Sequence, residues 1–361
     1  MNPSRRSCRY SILCLGLAAF MLTEPLGARA LPDRLSDAEF WSLIQQTSEP
    51  DGFFRSDNLV SDEAIFAEVV PRLLQRPRAR GVYVGVGPEQ NFSYIAALQS
   101  PMAFVLDVRR GNLHLQLLYK ALFELSADRA EFLSRLFVKG RATGISANAS
   151  ADQLARAYWE IKTNDRPAFE LHMREVRQVL VDRHRLHLSD ADLDGIEYVY
   201  DRLYWFGPSI TWASTAGVGR MASELPTFAD LMRQTDTNGR ELSFLATEGR
   251  FAFVKDLQSR NLIVPVVGNF AGPKALRAIG AYVRAQGATI DAFYVSEVEP
   301  YLVHDGIWPA FCANVATLPA DEESVLIRPS LSSLGVGNWK ETRLVPMREV
   351  TSCRGIGGTN R

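Results

Sequence analysis

Residues 81–90 read GVYVGVGPEQ, and this stretch decides the fold. Gly81 to Gly87 is a short, β-branched apolar run that ends in glycines, and the apolar spacing from Asn91 to Leu98 suits a helix. The unit is therefore a strand, a tight turn and a helix. Met102 to Val108 (MAFVLDV) is a second continuous apolar run, as expected of a parallel strand buried on both faces. The interval between the two runs is long enough for a helical crossover.

The same rhythm returns downstream. A helix is expected around Leu242 to Ser259, a strand at Leu262 to Val267, a helix at Pro273 to Gln286 and a strand at Ile290 to Val295. Ser324 to Arg328 and Arg343 to Val350 read as two strands joined by a Gly/Ser loop, close enough to form an antiparallel edge pair. Between the halves, Asn112 to Phe137 reads as two helices broken at Ser126-Ala127-Asp128, and residues 140–240 read as an insertion or lid. Upstream, Leu35 to Gln75 reads as two helices, the first opened by the capping box Ser36-Asp37-Ala38-Glu39. The expected class is α/β: a doubly wound, mostly parallel sheet with a C-terminal antiparallel strand pair, N-terminal helices and a helical insertion. In domain terms, residues 1–30 are a signal peptide, 31–80 an N-terminal helical segment, and 81–361 a Rossmann-like domain with its insertion at about 140–240.

The 361 residues include 40 Lys plus Arg against 41 Asp plus Glu, which argues against affinity built on neutralising phosphates and so against nucleic acid as partner. Arg5, Arg6 and Arg9, an apolar run from Ser11 to Leu22, and Ala28-Arg29-Ala30 form the three parts of an export signal, with cleavage expected after Ala30. The apolar run is too short to span a bilayer, so no stable membrane insertion is expected after cleavage, and the mature protein is expected in the periplasm or secreted. Removing residues 1–30, with four Arg and one Glu, takes the net charge from −1 to −4. Ser4-Arg5-Arg6 is also compatible with a twin-arginine route. Cys312 and Cys353 are the cysteines left, and an oxidising compartment allows them to pair.

The chemistry-bearing stretch is Gly85-Val86-Gly87-Pro88-Glu89-Gln90, whose backbone can approach a ligand closely. Asp107 ends the next strand. A carboxylate there can accept hydrogen bonds from both hydroxyls of a ribose. Arg109, directly after it, can bind a phosphate or carboxylate or simply start a solvated helix. Ligands of such sheets lie beyond the carboxyl ends of the strands, which draws attention to Asn269, after the expected fourth strand, and to Glu297, Glu299, Tyr301 and His304, after the expected fifth. Asn269 can orient an amine or hydroxyl, or be a polar turn residue. Glu297 can act as a general base if burial raises its pKa. Arg55-Ser56-Asp57-Asn58 can shape the pocket or cap a helix. His172, His184 and His187 lack the partners of a metal set, and no metal is expected; no G-x-S-x-G elbow supports a hydrolytic triad.

The chain resembles the class I S-adenosylmethionine-dependent methyltransferase superfamily over residues 81–137 and 242–350. The segments FFRSDNLVSDE, GVGPEQNFSYIAAL, DVRRGN, VVGNFAGPKALR and NVATLP resemble an uncharacterised bacterial branch with this core. The resemblance implies a seven-stranded sheet, Gly85 and Gly87 at the methionine end of S-adenosylmethionine, and Asp107 on its ribose. Tyr83 stands where the superfamily has an acid, and Glu89 where a third glycine is common; Glu89 can take over the missing acid's amine-binding duty. Gln90 completes the expected cofactor-binding set, and Asn269, Glu297 and Tyr301 are the expected catalytic residues. Two functions remain open: methyl transfer from S-adenosylmethionine to a small molecule, or an exported, non-enzymatic binding protein that keeps the nucleoside pocket. An exported hydrolase using Glu297, Glu299 or His304 is a third.

Overall fold

The computed structural model describes residues 30–76, 81–162, 165–215, 225–331 and 339–351. The expected signal peptide up to residue 29 and Cys353 lie outside the described residues. Among these residues, six strands form one sheet: β1 (Val82–Val86), β2 (Ala103–Asp107), β3 (Ile263–Val267), β4 (Ile290–Tyr294), β5 (Val325–Leu331) and β6 (Trp339–Pro346). Their order is β3-β2-β1-β4-β5-β6. β1 to β5 are parallel and β6 runs antiparallel to β5, so the doubly wound sheet with its terminal antiparallel pair is present. The described sheet has six strands, one fewer than the resemblance implies.

β1 to β4 are buried along their whole length, which is why each reads as an unbroken apolar run rather than an alternating one. The helices are α1 (Asp37–Thr47), α2 (Val70–Gln75), α3 (Gln90–Leu98), α4 (Arg110–Leu125), α5 (Arg129–Leu136), α6 (Ala151–Glu160), α7 (Arg166–Arg177), α8 (Asp190–Phe206), α9 (Phe228–Met232), α10 (Glu248–Ser259), α11 (Ala275–Ala285), α12 (Val298–His304), α13 (Trp308–Val315) and α14 (Met347–Thr351). α3, α10 and α4 pack side by side in one layer, and α11 packs against α1 and α13 in another. Right-handed crossovers require this division, because the chain moves from β1 out to β3 and then back past β1 to β4.

Local sequence sets the helix starts. Ser36 accepts from Glu39 N while the Glu39 carboxylate accepts from Ser36 N, and Ser150, Ser189 and Thr227 open α6, α8 and α9 with the same reciprocal cap. α10 begins at Glu248 rather than at Leu242, because Thr247 accepts from Arg250 N and caps the helix there. Met347 and Val350 turn into α14 instead of extending the last strand; both are buried. The helical insertion is real: α6 to α9 occupy residues 151–232, and Arg129 at the start of α5 ties it to the core. That guanidinium, 1% exposed, donates to Glu248 Oε1, Leu245 O, Ala147 O and Ala149 O at 2.7–2.9 Å.

No helix among the described residues is long and apolar enough to cross a membrane. Cys312, on α13, is fully buried and disulfide-bonded; the pairing expected from the sequence has its other half at Cys353, outside the described residues.

Candidate functional site

The direction in which successive strands are added to the sheet reverses between β1 and β4, and a cavity of about 300 Å³ opens there beyond the carboxyl ends of the strands. Val86, Gly87 and Pro88 reach it from β1, Asp107 and Val108 from β2, Asn269 and Phe270 from β3, and Tyr294, Ser296 and Glu297 from β4. Tyr301, Leu302 and Asp305 close one side from α12. Phe53, Phe54, Arg55, Asn58, Ser61 and Asp62 fold over it from the irregular stretch between α1 and α2, and Trp212 reaches it from the insertion.

The strand count expected from the sequence needs correcting. Residues 263–267 form the third strand, at the sheet edge beside β2, and 290–294 form the fourth, beside β1. Glu297 therefore follows the strand at the switch point itself, and Asn269 follows the outer strand. Asn269 is also partly a turn residue, since its Oδ1 accepts from Ala271 N at 2.9 Å. Glu49 holds the loop in place, accepting from Asn269 N at 3.0 Å and from Lys274 N and Ala275 N at 2.8 Å.

The glycine elbow divides into two roles. Gly87 has φ +76°, and a Cβ there would approach only Asn58 Nδ2, at 3.0 Å. Gly85 does not line the cavity: a Cβ on it would stand 1.9 Å from Asn91 Oδ1 and 2.7 Å from the Tyr83 hydroxyl. Tyr83, where the resemblance has an acid, instead donates to Asn91 Oδ1 at 2.9 Å, and Asn91 Nδ2 donates to the carbonyls of Val86 (2.9 Å) and Pro88 (2.7 Å). The small residue at 85 makes room for the side chain that braces the elbow.

Glu89, Gln90 and Arg109 are likewise not lining residues of this cavity. Glu89 lies fully buried, with Oε1 accepting from Ser61 N at 3.3 Å and Oε2 without a partner among the described residues. Burial pushes its carboxyl up to about 8. Gln90 is part of a buried network: it accepts from Ser61 Oγ at 2.6 Å and donates to Glu63 Oε2 at 3.0 Å. Arg109 folds back on Asp57 and the Ser56 carbonyl, at 2.8 and 2.7 Å, and pins the covering segment.

Asp107, by contrast, lines the cavity. It is 5% exposed, faces the cavity with the elbow, accepts from Arg109 N at 2.9 Å and also bonds the Asn58 side chain. Desolvation raises its pKa to about 6, against the lowering effect of those bonds and of the Arg109 charge. Asp62 and Glu297, which also line the cavity, are both raised, chiefly by desolvation, and Arg55 opposes the rise in each. The Arg55 guanidinium lies 5.5 Å from the Trp212 ring centre and 5.4 Å from that of Tyr301. Tyr301 is pushed up to about 12, by burial and then by Glu297. The result is a chamber lined by aromatic rings, by the carboxyl groups of Asp62, Asp107 and Glu297, and by the Arg55 guanidinium.

Sequence reasoning missed Ser61, Asp62 and Glu63, and it drew attention to Ser296 beside Glu297 only by its place after the strand. Ser296 carries φ +44°, an unusual conformation for a residue with a side chain. Asp62 and Glu63 stand in a polar run, SDE, that reads as surface until tertiary packing buries it. His184, weighed above as a metal ligand, instead lies between Asp37 (2.6 Å) and Glu124 (2.8 Å), and no cluster able to hold a metal ion occurs among the described residues.

The family described as Domain of unknown function (DUF7790) matches residues 61–193 and 220–345. The chain belongs to this family. No curated protein matches the sequence. The two matched parts of the family domain carry Ser61, Asp62, the elbow and Asp107 in the first, and Asn269, Ser296, Glu297 and Tyr301 in the second. The segment with Arg55 and Asn58 precedes the matched residues.

Proposed function

We propose that the cavity binds S-adenosylmethionine and that the protein transfers its methyl group to a small molecule. The observation that carries this reading is the opening of Asp107, Gly87, Glu297 and Tyr301 into one chamber at the switch point. The donor set suits the ligand. Asp107 is the acceptor for ribose hydroxyls, and Val108 and Phe270 offer apolar contact to a base beside it. Asp62 and Glu297 suit an ammonium group, and Arg55 a carboxylate. Aromatic faces and carboxylates together favour a cation such as a sulfonium. S-adenosylmethionine supplies a methyl carbon already activated for displacement. The chain's own part is to hold the reactants in line and exclude water, with Asn269, Glu297 and Tyr301 orienting the acceptor.

The non-enzymatic reading keeps one specific support: Asn91 fills the space beside Gly85, so the elbow is less open than the glycine spacing suggests. Calorimetry separates the two. The mature protein is expected to bind S-adenosylmethionine at micromolar level, and Asp107→Ala is expected to weaken binding on the order of thirty-fold, as for loss of hydrogen bonds to a charged group. No heat at millimolar ligand would favour the binding-protein reading with another ligand. Export belongs to the same proposal and is supported by the Cys312 disulfide; N-terminal sequencing of the native protein should begin at Leu31, and an intact Met1 start would refute it.

A further inference from the structure

Beside the cavity lies a further acid that the reading above does not use. Glu63 is fully buried. Its Oε1 accepts from Ser296 Oγ at 2.6 Å and its Oε2 from Gln90 Nε2 at 3.0 Å. Ser296 lines the cavity, at the end of the strand beside β1, so one hydroxyl separates the buried carboxylate from whatever the cavity holds. The charged and titratable groups facing Glu63 are Asp62 from its own segment, Glu297 after β4, Tyr83 on β1, Tyr94 on α3 and Tyr294 on β4. None is a cation. A carboxylate in that company holds a proton readily, and its pKa rises to about 7, by desolvation against the lowering bonds from Ser296, Tyr294 and Gln90. Ser296 makes this bond from a left-handed backbone, φ +44°.

The geometry points to Glu63 and Ser296 as a proton relay for a methyl acceptor that is a small hydroxylated aromatic compound. This rests on the methyl-transfer reading. The apolar body of such an acceptor suits Phe54, Trp212, Tyr301 and Leu302, and its hydroxyl needs a base, because a neutral hydroxyl is a poor nucleophile. In the transfer, an oxygen lone pair of the acceptor forms the new O–C bond while the C–S bond breaks and leaves its electron pair on sulfur. The acceptor proton passes to Ser296 Oγ as the serine's own proton passes to Glu63 Oε1. The sulfonium charge is lost, and Glu63 ends as a neutral acid.

Two measurements test this independently. In ligand-free protein carrying carbon-13 glutamate, the Glu63 carboxyl signal, assigned by its loss in Glu63→Gln, is expected to titrate near neutrality. Ser296→Ala and Ser296→Gly, the second compatible with φ +44°, should move the midpoint upward, because a bond to the ionised form is removed. A carboxyl that does not titrate between about pH 5 and pH 9, or one indifferent to both serine variants, overturns the relay whether or not S-adenosylmethionine binds. With S-adenosylmethionine and phenol as probes, single-turnover methylation should rise with pH through the same midpoint. Glu63→Gln should lower the rate on the order of a hundred-fold and flatten the profile, with S-adenosylmethionine affinity within about three-fold of wild type. An unchanged pH profile in Glu63→Gln, or labelling of Ser296 by a fluorophosphonate as a covalent nucleophile, overturns the relay. Phenol left unmethylated overturns the acceptor class. Absence of S-adenosylmethionine binding overturns the methyl-transfer reading, and the carboxyl titration then decides the proton path alone.

Discussion

Gly85→Ala should lose about 3 kcal/mol or more of folding stability in urea unfolding, the largest effect of any single methyl group added near the site. The new Cβ would stand 1.9 Å from Asn91 Oδ1 and 2.8 Å from Tyr83 Cε1, both fully buried. A side chain at the far end of a flexible arm could swing aside, but Asn91 is held at both ends of its amide. It accepts from the Tyr83 hydroxyl and donates to the carbonyls of Val86, Gly87 and Pro88. Moving it strands those groups in the interior, at roughly 1–3 kcal/mol for each that stays unpaired, in addition to roughly 1–3 kcal/mol of overpacking. The outcome also separates two roles for this glycine. A stability loss of that size in ligand-free protein assigns Gly85 to bracing the elbow. A loss below about 1 kcal/mol with abolished ligand binding would assign it to the ligand instead.

The second large effect is a fall in stability as pH rises from about 5 to about 8.5, reduced by Glu89→Gln. Glu89, Glu63 and Asp107 have folded-state pKa values of about 8, 7 and 6, all raised above their ordinary values of 4.5, 4.5 and 3.8. Between the unfolded and folded values the native state holds protons that the unfolded chain has released. Stability is therefore greatest below those unfolded values and is lost as pH climbs through the folded ones. Of the three, Glu89 has the largest rise and one oxygen with no hydrogen-bond partner among the described residues, so its ionisation is the most costly of the three. Glutamine copies the neutral acid's shape. Glu89→Gln should match wild type near pH 5 and exceed it near pH 9 on the order of 2–4 kcal/mol. On the acid side Glu124 behaves oppositely. His184 and Lys120 hold its folded value down to about 2, so its contribution is present above 4.5 and disappears as pH falls toward 2. Together these groups place the stability maximum near pH 5. Equal stability of Glu89→Gln and wild type at both ends of the range would show that Glu89 stays solvated.

The elements that sequence reading found are those whose physics is local. β1 and β2 announce themselves as apolar runs because both of their faces are covered, and the capping box at Ser36 states the start of α1 within four residues. Asp107 was legible for the same reason: it stands at the end of a recognisable strand, one crossover away from a glycine elbow. At Gly85 the spacing reports that a small residue is needed, and not what it makes room for. Here that is Asn91, six residues on, folded back from α3. Strand order was not legible, since an apolar run carries no mark of which neighbour it will pair with.

What the amino-acid sequence determined by itself was the parallel core with its terminal antiparallel pair, the helical insertion and the acidic strand end, because burial on two faces, cap chemistry and turn glycines leave their pattern in neighbouring residues. What only the tertiary structure decided was the content of the chamber. Ser61, Asp62 and Glu63 come from a polar stretch more than two hundred residues away from Ser296 and Glu297, and the carboxyl groups of Asp62, Glu63 and Glu297 are raised because packing removes them from water. Desolvation is a property of everything that surrounds a group, and a linear reading sees only what lies beside it in the chain.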